Sequence, residues 1–401
     1  MDKRRYGYDI IHVVHGAYPG DPRVRREAAV AADVAERVLV ISLRQPGCPS
    51  AGHHARVRIA RLSGRKSRGS VVDYVREYLA FTGRVYLLFA RDERLRRARV
   101  VHVHTLPDFL IFGALPAIRK GARSILDMHE IFPEFIRSKF PGGRGLLAVF
   151  VARLLERASR ARATVTVTVN APIRELLASR PARRNERIEV VHNVPDSRDM
   201  GDPTPRSYSV RKPIRLVYHG TLTHLYGLDI AIEAVAHTCA SGVPLTLAIY
   251  GDGPATRDLE LLTERLRLAE AISFHGNVPH ARLRRELPTF DAGLVPTRLD
   301  VMTHFSLSTK LLELFHLGIP AIASRIPTYV AYFPDDCAWY FAPNDSTSAA
   351  TAIKAFASAS DDQRQDRARA ARAVAERLGW PAEAARLATI YRELLLRPAA
   401  R

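Results

Sequence analysis

Two side chains of opposite charge, Lys310 and Glu313, lie three residues apart at the start of the segment TKLLELFHLG. In a helix this spacing puts them on one face of the first turn, where free backbone N–H groups and the helix dipole favour an anion. The ammonium could neutralise phosphate oxygens, and the carboxylate, which only accepts hydrogen bonds, suits a pair of sugar hydroxyls. The alternative is a solvated surface ion pair, which on spacing alone is the more common case.

The segment that carries this pair has a defined start and a defined end. Ser308 or Thr309 is a suitable N-cap, and leucines and a phenylalanine form a broad apolar face. Gly318 fits the left-handed position after the last turn, and Pro320 prevents the helix from continuing. The sequence therefore predicts a short helix followed by a buried strand, AIAS.

Other polar or glycine residues recur where predicted strands end. Gly16 follows DIIHVVH, His129 and Glu130 follow SILDM, and Gly220 and Thr221 follow IRLVYH. In parallel sheets the carboxyl ends of the strands form the edge where ligands bind. A His and a Glu in series could also bind a metal ion, but no third ligand stands at a suitable spacing. We therefore predict no metal.

Strand and helix patterns alternate through most of the 401 residues, which predicts an α/β protein. A chain of this length favours two domains over one core. The stretch 196–213 is polar and contains several prolines, as linkers do. We predict a first domain over 1–200, a linker over 201–213, a second domain over 214–380 and a terminal helix within 381–401.

Three segments, DPRVRREA at 21–28, LDMHE at 126–130 and TKLLE at 309–313 with the following GIPAIAS, resemble the large retaining family-four glycosyltransferases, the glycosyl transferases group 1. The resemblance implies the GT-B fold: two Rossmann-like, doubly wound domains that face each other across a cleft, with the terminal helix crossing back to the first. It also implies transfer of a sugar from a nucleoside-diphosphate sugar to an acceptor hydroxyl with retention, without a metal or other cofactor.

The same resemblance assigns roles to residues. It implies that Glu313 binds the ribose and that His129 and Lys310 act in catalysis, with Lys310 holding the diphosphate. Main-chain groups near Asn277 and Val278 would hold the base. The substrate-binding candidates are Gly16, Glu130, Gly220, Thr221, Asn277, Val278, Arg298, Ser306, Thr309 and Glu313.

The chain departs from the family pattern at three positions. Members often carry a second Glu eight residues before the ribose-binding one, where this chain has Phe305. Many members place basic residues at the positions of Thr221 and Tyr226. One branch of the family also lacks that second Glu, so an active transferase remains the main hypothesis. The alternative is a catalytically silent nucleotide-sugar-binding paralogue that acts as the partner of an active transferase.

The net charge of +19 and the pI of about 10.3 favour polyanions as partners. Many of the charges are Arg scattered among Ala, so a GC-rich genome is an alternative explanation. Modules that bind nucleic acid, such as zinc fingers, basic zippers and RNP-like aromatic motifs, are absent from the sequence. We predict no nucleic-acid partner.

Two stretches combine basic and apolar residues at helical spacing. Residues 56–99 hold thirteen basic and four acidic side chains with interleaved aromatics, and residues 137–162 pair an apolar face with arginines beyond a Pro-Gly-Gly hinge at 141–143. Both patterns suit an anionic membrane surface and a lipid-linked acceptor glycan. Ordinary surface helices that pack their aromatics inward are the alternative.

The three cysteines, Cys48, Cys239 and Cys337, are far apart and predict neither disulfides nor a zinc site. The apolar run near the N-terminus is short and lacks a cleavage site, and no run reaches the length needed to span a bilayer. We expect a cytoplasmic protein that could bind the inner membrane face peripherally.

Overall fold

The structure is a computed structural model that describes residues 7–64, 71–139, 143–201, 206–210 and 212–396. The strands are β1 (Ile10–Val14), β2 (Val38–Leu43), β3 (Ala51–His54), β4 (Val57–Leu62), β5 (Val100–His104), β6 (Arg123–Met128), β7 (Val165–Thr168), β8 (Ile188–Val190), β9 (Ile214–His219), β10 (Leu245–Tyr250), β11 (Ile272–Gly276), β12 (Ala292–Val295), β13 (Ala321–Ser324) and β14 (Trp339–Phe341). The α-helices are α1 (Pro22–Val34), α2 (Val71–Arg91), α3 (Glu93–Arg96), α4 (Leu115–Ile118), α5 (Phe132–Lys139), α6 (Gly143–Arg162), α7 (Ala171–Ser179), α8 (Ser197–Met200), α9 (Leu228–Ala240), α10 (Thr256–Arg265), α11 (His280–Glu286), α12 (Thr309–His316), α13 (Pro327–Tyr332), α14 (Ser346–Ser358), α15 (Asp361–Arg377) and α16 (Trp380–Leu396). The 3-10 helices are Asp108–Ala114, His224–Tyr226, Leu287–Thr289 and Thr303–Phe305.

The chain divides into two compact units, Met1–Asn193 with Pro381–Arg401, and Val194–Trp380. Side-chain contacts fix α16 on the first unit. Glu383 accepts from the backbone N–H of His192 at 2.9 Å. The hydroxyl of Tyr391 lies 2.8 Å from Nδ1 of His102 on β5. The last helix is therefore part of the first unit's core.

The first unit is built on an eight-stranded sheet in the order β3-β4-β2-β1-β5-β6-β7-β8. Its strands are parallel except β3, which pairs antiparallel with β4. β1 (IIHVV) and β2 (VLVISL) are buried along their whole length, as in parallel sheets covered by helices on both faces. The strand order reverses between β1 and β5, so the carboxyl ends of these strands border the crevice where such sheets bind ligands.

The second unit is built on a six-stranded parallel sheet in the order β11-β10-β9-β12-β13-β14. Buried side chains of β9, β10, α9 and α14, among them Leu216, Leu247 and Phe356, form its hydrophobic core. The strand order reverses between β9 and β12, and α12 follows β12 in the chain. The two doubly wound sheets confirm the predicted α/β class.

The stretch predicted as a linker falls within the second compact unit, and its described residues bond to other elements of that unit. Arg206 donates to the carbonyl of Phe290 at 2.6 Å, and the hydroxyl of Tyr208 donates to the carbonyl of Gly318 at 3.1 Å. In turn, Arg364 on α15 donates to the carbonyl of Tyr208 at 3.0 Å. These bonds join the stretch to the segment before β12, to Gly318 after the end of α12 and to α15.

Helix α2 covers much of the basic stretch 56–99, and it buries some of its aromatic side chains while it exposes others. Phe81 and Phe89 are buried, whereas Leu79 and Tyr86 on the opposite side are exposed. Outside the described residues lie Arg65, Lys66 and Arg68 of this stretch, Pro141 and Gly142 of the predicted hinge, and 202–205 and 211 of the predicted linker.

None of the described helices has both the length and the hydropathy needed to cross a bilayer. Cys48, Cys239 and Cys337 are free thiols, as their spacing predicts.

Candidate functional site

Helix α12 begins and ends where its sequence predicts. The side chain of Ser308 is the N-cap and accepts from the N–H of Leu311 at 3.4 Å. Gly318 has a φ of 67°, the left-handed value that follows the last turn. The buried residues of the helix are Leu311, Leu312, Leu314 and Phe315. This apolar face packs on β12 and β13, so the polar face with Lys310 and Glu313 is held in one orientation.

Glu313 is paired with a histidine that the sequence analysis did not single out. Its Oε2 lies 2.7 Å from Nε2 of His219, the buried last residue of β9. With Nε2 protonated, the imidazole donates to the carboxylate and fixes its orientation, while Oε1 can still accept hydrogen bonds. The pair places the Glu313 carboxylate at the carboxyl end of β9, beside the point where the strand order reverses.

Lys310 lies over an aromatic ring instead of forming the solvated ion pair considered above. Its Nζ is 3.7 Å from the ring centroid of Tyr226 and 5.6 Å from that of Tyr218. Burial lowers the pKa of Lys310 to about 8, and the charge of Glu313 opposes this decrease. The ammonium is thus charged at neutral pH but poorly hydrated, and an anion that reaches it would gain a strong partner.

Gly220 makes room for the Lys310 side chain. It has a φ of 123°, and a Cβ at this position would lie 2.3 Å from Cε of Lys310. Its N–H donates to the carbonyl of Tyr250 at 2.9 Å. The N–H of Gly220 is therefore already used within the sheet edge. The carbonyl of Thr221, an exposed residue, accepts from the hydroxyl of Tyr218 at 2.9 Å.

Arg298 forms an ion pair with Asp229, in the first turn of α9. Its backbone N–H donates to the carbonyl of Leu225 at 3.1 Å, and its carbonyl accepts from the hydroxyl of Thr303 at 2.5 Å. The guanidinium charge is therefore partly neutralised within the protein. Lys310 rather than Arg298 is the cation best placed to meet an anionic ligand here.

The remaining candidates of the second unit lie on loops after strands. Asn277 is exposed and Val278 half-buried, directly after β11. The N–H of Ser306 donates to the carbonyl of Thr303 at 3.0 Å, and Thr309 is the first residue of α12. Phe305, which stands at the position of the family's second Glu, is half-buried at the end of a 3-10 helix.

In the first unit, His129 and Glu130 follow β6 and are both half-buried. Nδ1 of His129 lies 3.6 Å from Oδ2 of the buried Asp127. Gly16 follows β1, and its carbonyl accepts from the N–H of Leu43 at 2.9 Å. Since β1 and β6 both pair with β5, the sequence-predicted residues of this unit come from neighbouring strand ends.

Asp127 is the centre of a buried polar cluster that the sequence analysis missed. Arg23 donates to both of its oxygens, with Nη2 at 2.7 Å from Oδ1 and Nε at 2.9 Å from Oδ2. Nδ1 of His104 lies 3.0 Å from Oδ2, and Glu27 lies 3.0 Å from Nη2 of Arg23. The spacing of Arg23 and Arg26 is typical of a solvated basic helical face, but the Arg23 side chain is buried against Asp127, the fifth residue of β6.

The pKa shifts in this cluster follow mainly from burial and from the charge of the Arg23 guanidinium. Burial would raise the pKa of Asp127, but Arg23 and its hydrogen bonds hold this pKa well below the usual range. Burial raises the pKa of Glu27, although Arg23 opposes the rise. Burial lowers the pKa of His12, His102 and His104, so all three imidazoles are neutral at physiological pH.

The three histidines meet the distance requirement for a metal site but not the directional one. Ligand atoms of His12, His102 and His104 lie within 4.8 Å of one another. However, the rings are stacked, with His102 and His104 at 4.3 Å and 23° and His12 and His104 at 5.3 Å and 12°. A metal ion must lie in the plane of each ligating ring, which stacked rings do not permit for one ion. A second set, Glu27 and Asp127 with His102 and His104, has its carboxylates bound to Arg23.

Comparison with known families agrees with the resemblance of the motifs. Residues 205–374 match the family described as "Glycosyl transferases group 1", and residues 4–194 match the "Glycosyl transferase 4-like domain". The two matches cover both units, so the chain belongs to the group 1 glycosyltransferases.

Particular relatives are distant. The "Phosphatidylinositol N-acetylglucosaminyltransferase GPI3 subunit" of Saccharomyces cerevisiae (strain YJM789) is 23% identical over 258 residues, which are 60% of this chain and 51% of the relative. The chain thus spans about half the length of the curated relatives it matches.

Solved structures of similar shape confirm the two-domain GT-B fold. Sucrose-phosphate synthase from Thermosynechococcus elongatus superposes with a TM-score of 0.75 at 16% identity, over 96% of this chain and 99% of the other. Anabaena Alr3699/HepE in complex with UDP gives a TM-score of 0.72 at 14% identity, over 96% and 100% of the two chains.

Proposed function

We propose that this chain transfers a sugar from a nucleoside-diphosphate sugar to an acceptor hydroxyl, with retention of configuration and without a metal ion. The observation that carries the proposal is the arrangement at α12, where a desolvated ammonium and an oriented carboxylate lie on one helical face next to a strand-order reversal. Few ligands need both a cation and a paired hydrogen-bond acceptor at this spacing, and a nucleoside diphosphate is one of them.

Lys310 acts on the diphosphate in this proposal. As the bond to the sugar breaks, negative charge grows on the leaving diphosphate, and a preformed cation lowers the energy of that state. Because Lys310 is poorly hydrated, little water must be removed before it meets the phosphate. The N–H groups of Thr309 and Lys310, in the first turn of α12, are further donors for the phosphate oxygens.

Glu313 holds the ribose of the donor. Its Oε2 is oriented by His219 at 2.7 Å, so the carboxylate need not be immobilised when the nucleotide binds. Thr221, Asn277, Val278, Arg298 and Ser306 line the loops that would surround the base, the phosphates and the sugar.

The first unit supplies the acceptor side in this proposal. His129 and Glu130 are the groups that hydrogen-bond the donor sugar or the acceptor, and the loop of Gly16 lies on a neighbouring strand end. Oδ2 of Asp127 lies 3.6 Å from Nδ1 of His129 and helps to orient the imidazole. Arg23 in turn holds the Asp127 carboxylate in place. His129 acts in catalysis as a polar partner of the reacting sugar.

We assign the acceptor to the lipid-linked saccharides or other glycan precursors, in the cytoplasm or peripherally on the membrane. Two observations support this class. The yeast relative is named as a phosphatidylinositol N-acetylglucosaminyltransferase subunit. The chain carries a net charge of +19 and has exposed apolar side chains on its helices. The donor is supported by the UDP complex of the Anabaena neighbour.

The second candidate is a silent nucleotide-sugar-binding partner of an active transferase. Phe305 in place of the second Glu favours it, and so does Tyr226, whose ring rather than a basic group accompanies Lys310. A silent partner would keep the donor site but lack turnover.

One experiment separates the two candidates. Thermal shift with UDP-, GDP- and ADP-sugars identifies the donor that binds, and donor hydrolysis and transfer to membrane extracts are then measured with that donor. Binding with turnover that is lost in Lys310→Ala supports the transferase. Binding without hydrolysis or transfer supports the silent partner, and failure of all nucleotide sugars to bind contradicts both.

A further inference from the structure

Helix α6 carries an exposed apolar surface that no part of the candidate donor site explains. Its members, which we call the α6 ridge, are Leu146 (72% exposed), Leu147 (72%), Phe150 (60%), Val151 (45%) and Leu154 (52%). Their spacing of one, four, five and eight residues from Leu146 places all five on one helical face. Contiguous apolar faces of this kind mark binding surfaces on soluble domains.

The fold of the unit does not depend on the α6 ridge, because the opposite face anchors the helix. The buried guanidinium of Arg160 lies 2.8 Å from Oε2 of Glu186 and donates to the carbonyl of Leu177 at 2.7 Å. Its Nη1 also donates to Glu156 at 3.0 Å. Packing on α5 and on the 3-10 helix Asp108–Ala114 completes the inner face.

Positive charge lies beside the ridge. Arg153 and Arg157 are exposed along one edge of it. Arg157 also lines a cavity of about 460 Å³ whose other walls include Arg183 and Arg184, between α7 and β8. The one acidic side chain of α6, Glu156, is buried, so the outer face of the helix presents no carboxylate.

This charge distribution indicates which kind of partner binds the α6 ridge. A second copy bound through the same face would place the exposed arginines of two α6 helices in one interface, with no exposed carboxylate on α6 to neutralise them. An anionic bilayer offers the complement of both features, since its phosphates meet the arginines while its acyl region accepts leucine and phenylalanine.

We propose that the α6 ridge inserts into the surface of a bilayer of anionic phospholipids, with lipid phosphates bound by Arg157 and by the cavity arginines Arg183 and Arg184. Helix α6 then lies in the membrane plane with Arg153 at the headgroup level. Membrane binding by the α6 ridge rests on the proposed function in one respect. If the acceptor is lipid-linked, this ridge is the surface that brings the chain to the acceptor.

The test is co-flotation of the full chain with vesicles of phosphatidylcholine, with or without an equal amount of phosphatidylglycerol. The wild-type chain is expected to float with the anionic vesicles and to float less as salt is raised. The variant Leu147→Asp/Phe150→Asp is expected to stay in the soluble fraction. Each arginine near an anionic surface contributes about fivefold to the partition coefficient. The variant Arg157→Gln/Arg183→Gln/Arg184→Gln should therefore lower the partition coefficient for anionic vesicles on the order of 100-fold.

Matched controls lie on the second unit. Leu261 is an exposed leucine of α10, and Arg257, Arg265 and Arg369 are exposed arginines. Away from α6, Leu261→Asp repeats one apolar-to-acidic substitution, and the triple Gln variant of these arginines repeats the loss of three charges. Both controls should float like the wild type. Thermal unfolding of every variant shows whether the fold is retained.

Flotation of the Leu147→Asp/Phe150→Asp chain at the wild-type level would overturn the proposal. So would light scattering that shows a wild-type dimer and a monomeric ridge variant, since the ridge would then bind a second copy. The α6 variants should keep wild-type affinity for the nucleotide sugar, whereas Lys310→Ala should lose that affinity and still float. Failure of membrane binding and failure of the donor site are therefore separate results.

Discussion

At the scale of single residues, the candidate donor site depends on side chains whose surroundings differ from those of ordinary surface charges. Lys310 has an aromatic ring on one side and Gly220 on the other, so its ammonium has a defined position. Glu313 has a fixed orientation because His219 occupies one of its oxygens. Both features prepare the site before a ligand binds, which reduces the entropy lost on binding.

Gly220→Ala tests the position of the ammonium. The new Cβ would lie 2.3 Å from Cε of Lys310, so the lysine side chain must move. We therefore expect the affinity for the donor to fall about tenfold or more, which corresponds to ~1.4 kcal/mol in binding free energy. Calorimetric titration measures this. Gly242→Ala is the matched control, because Gly242 has a φ of 79° with open space around its Cβ. It should lower the free energy of unfolding by about 1–2 kcal/mol, the cost of a non-glycine residue in the left-handed region, without loss of affinity.

At the scale of secondary structure, the first turn of α12 must be rigid for Lys310 and Glu313 to act together. Ser308 caps this turn, and the apolar face below it is buried. Helix α15 offers a comparable N-cap, since Ser360 accepts from the N–H of Gln363 at 3.2 Å. The two helices differ in that only α12 carries candidate ligand-binding residues.

Ser308→Ala and Ser360→Ala should therefore differ in one respect. Each loses a cap hydrogen bond, and we expect each to lower the free energy of unfolding by about 1 kcal/mol. Only Ser308→Ala should also weaken donor binding, because its first turn frays where the phosphate would bind. Equal affinities of the two variants would contradict a role for the α12 N-terminus.

The sequence predicts α12 well because its signals are local. The cap, the apolar spacing, Gly318 and Pro320 all lie within a dozen residues, and the structure confirms each of them. His219 and Glu313 form a pair although they are 94 positions apart in the sequence. Only the packing of α12 beside the end of β9 brings them together. A histidine as the last residue of a predicted strand, directly before Gly220, is the signal that could have identified it.

Arg23 is a second residue whose tertiary contacts could not be predicted from the sequence. Its spacing to neighbouring arginines is typical of a solvated helical face, yet it is buried against Asp127, 104 positions away. The carboxylate that it neutralises lies within LDMHE, the motif chosen for His129. Pairing of two motifs in space is a tertiary property that periodicity does not encode.

At the scale of the whole molecule, each unit places its polar residues beside a reversal of strand order. In the first unit this arrangement includes a buried layer of His12, His102 and His104 that Tyr391 of the last helix completes. A layer of neutral imidazoles in the core couples the stability of this unit to pH.

His12→Gln measures that coupling. The pKa of His12 in the folded chain lies below its ordinary value of about 6.5, so the wild type loses stability as pH falls through that value, while the unfolded chain takes up the proton. The variant lacks the contribution of His12 to this loss and keeps those of His102 and His104. We expect it to be less stable than the wild type at neutral pH, with the difference narrowing by about 1 kcal/mol per pH unit below pH ~6.5.

Urea unfolding at several pH values provides this comparison. His53→Gln, which replaces an exposed histidine of the same unit, is the control. A pH-independent difference for His12→Gln would mean that His12 protonates as readily in the folded chain as in the unfolded one.

The most direct test of the account is calorimetric titration with the nucleoside diphosphate that stabilises the chain most and with its 2′,3′-dideoxy analogue. If Glu313 holds the ribose, Glu313→Ala lowers the affinity for the ribose nucleotide by about 10- to 100-fold and leaves that for the dideoxy analogue within about twofold of the wild type. An equal loss for both nucleotides, or no loss for either, would contradict the assignment of the α12 face as the donor site.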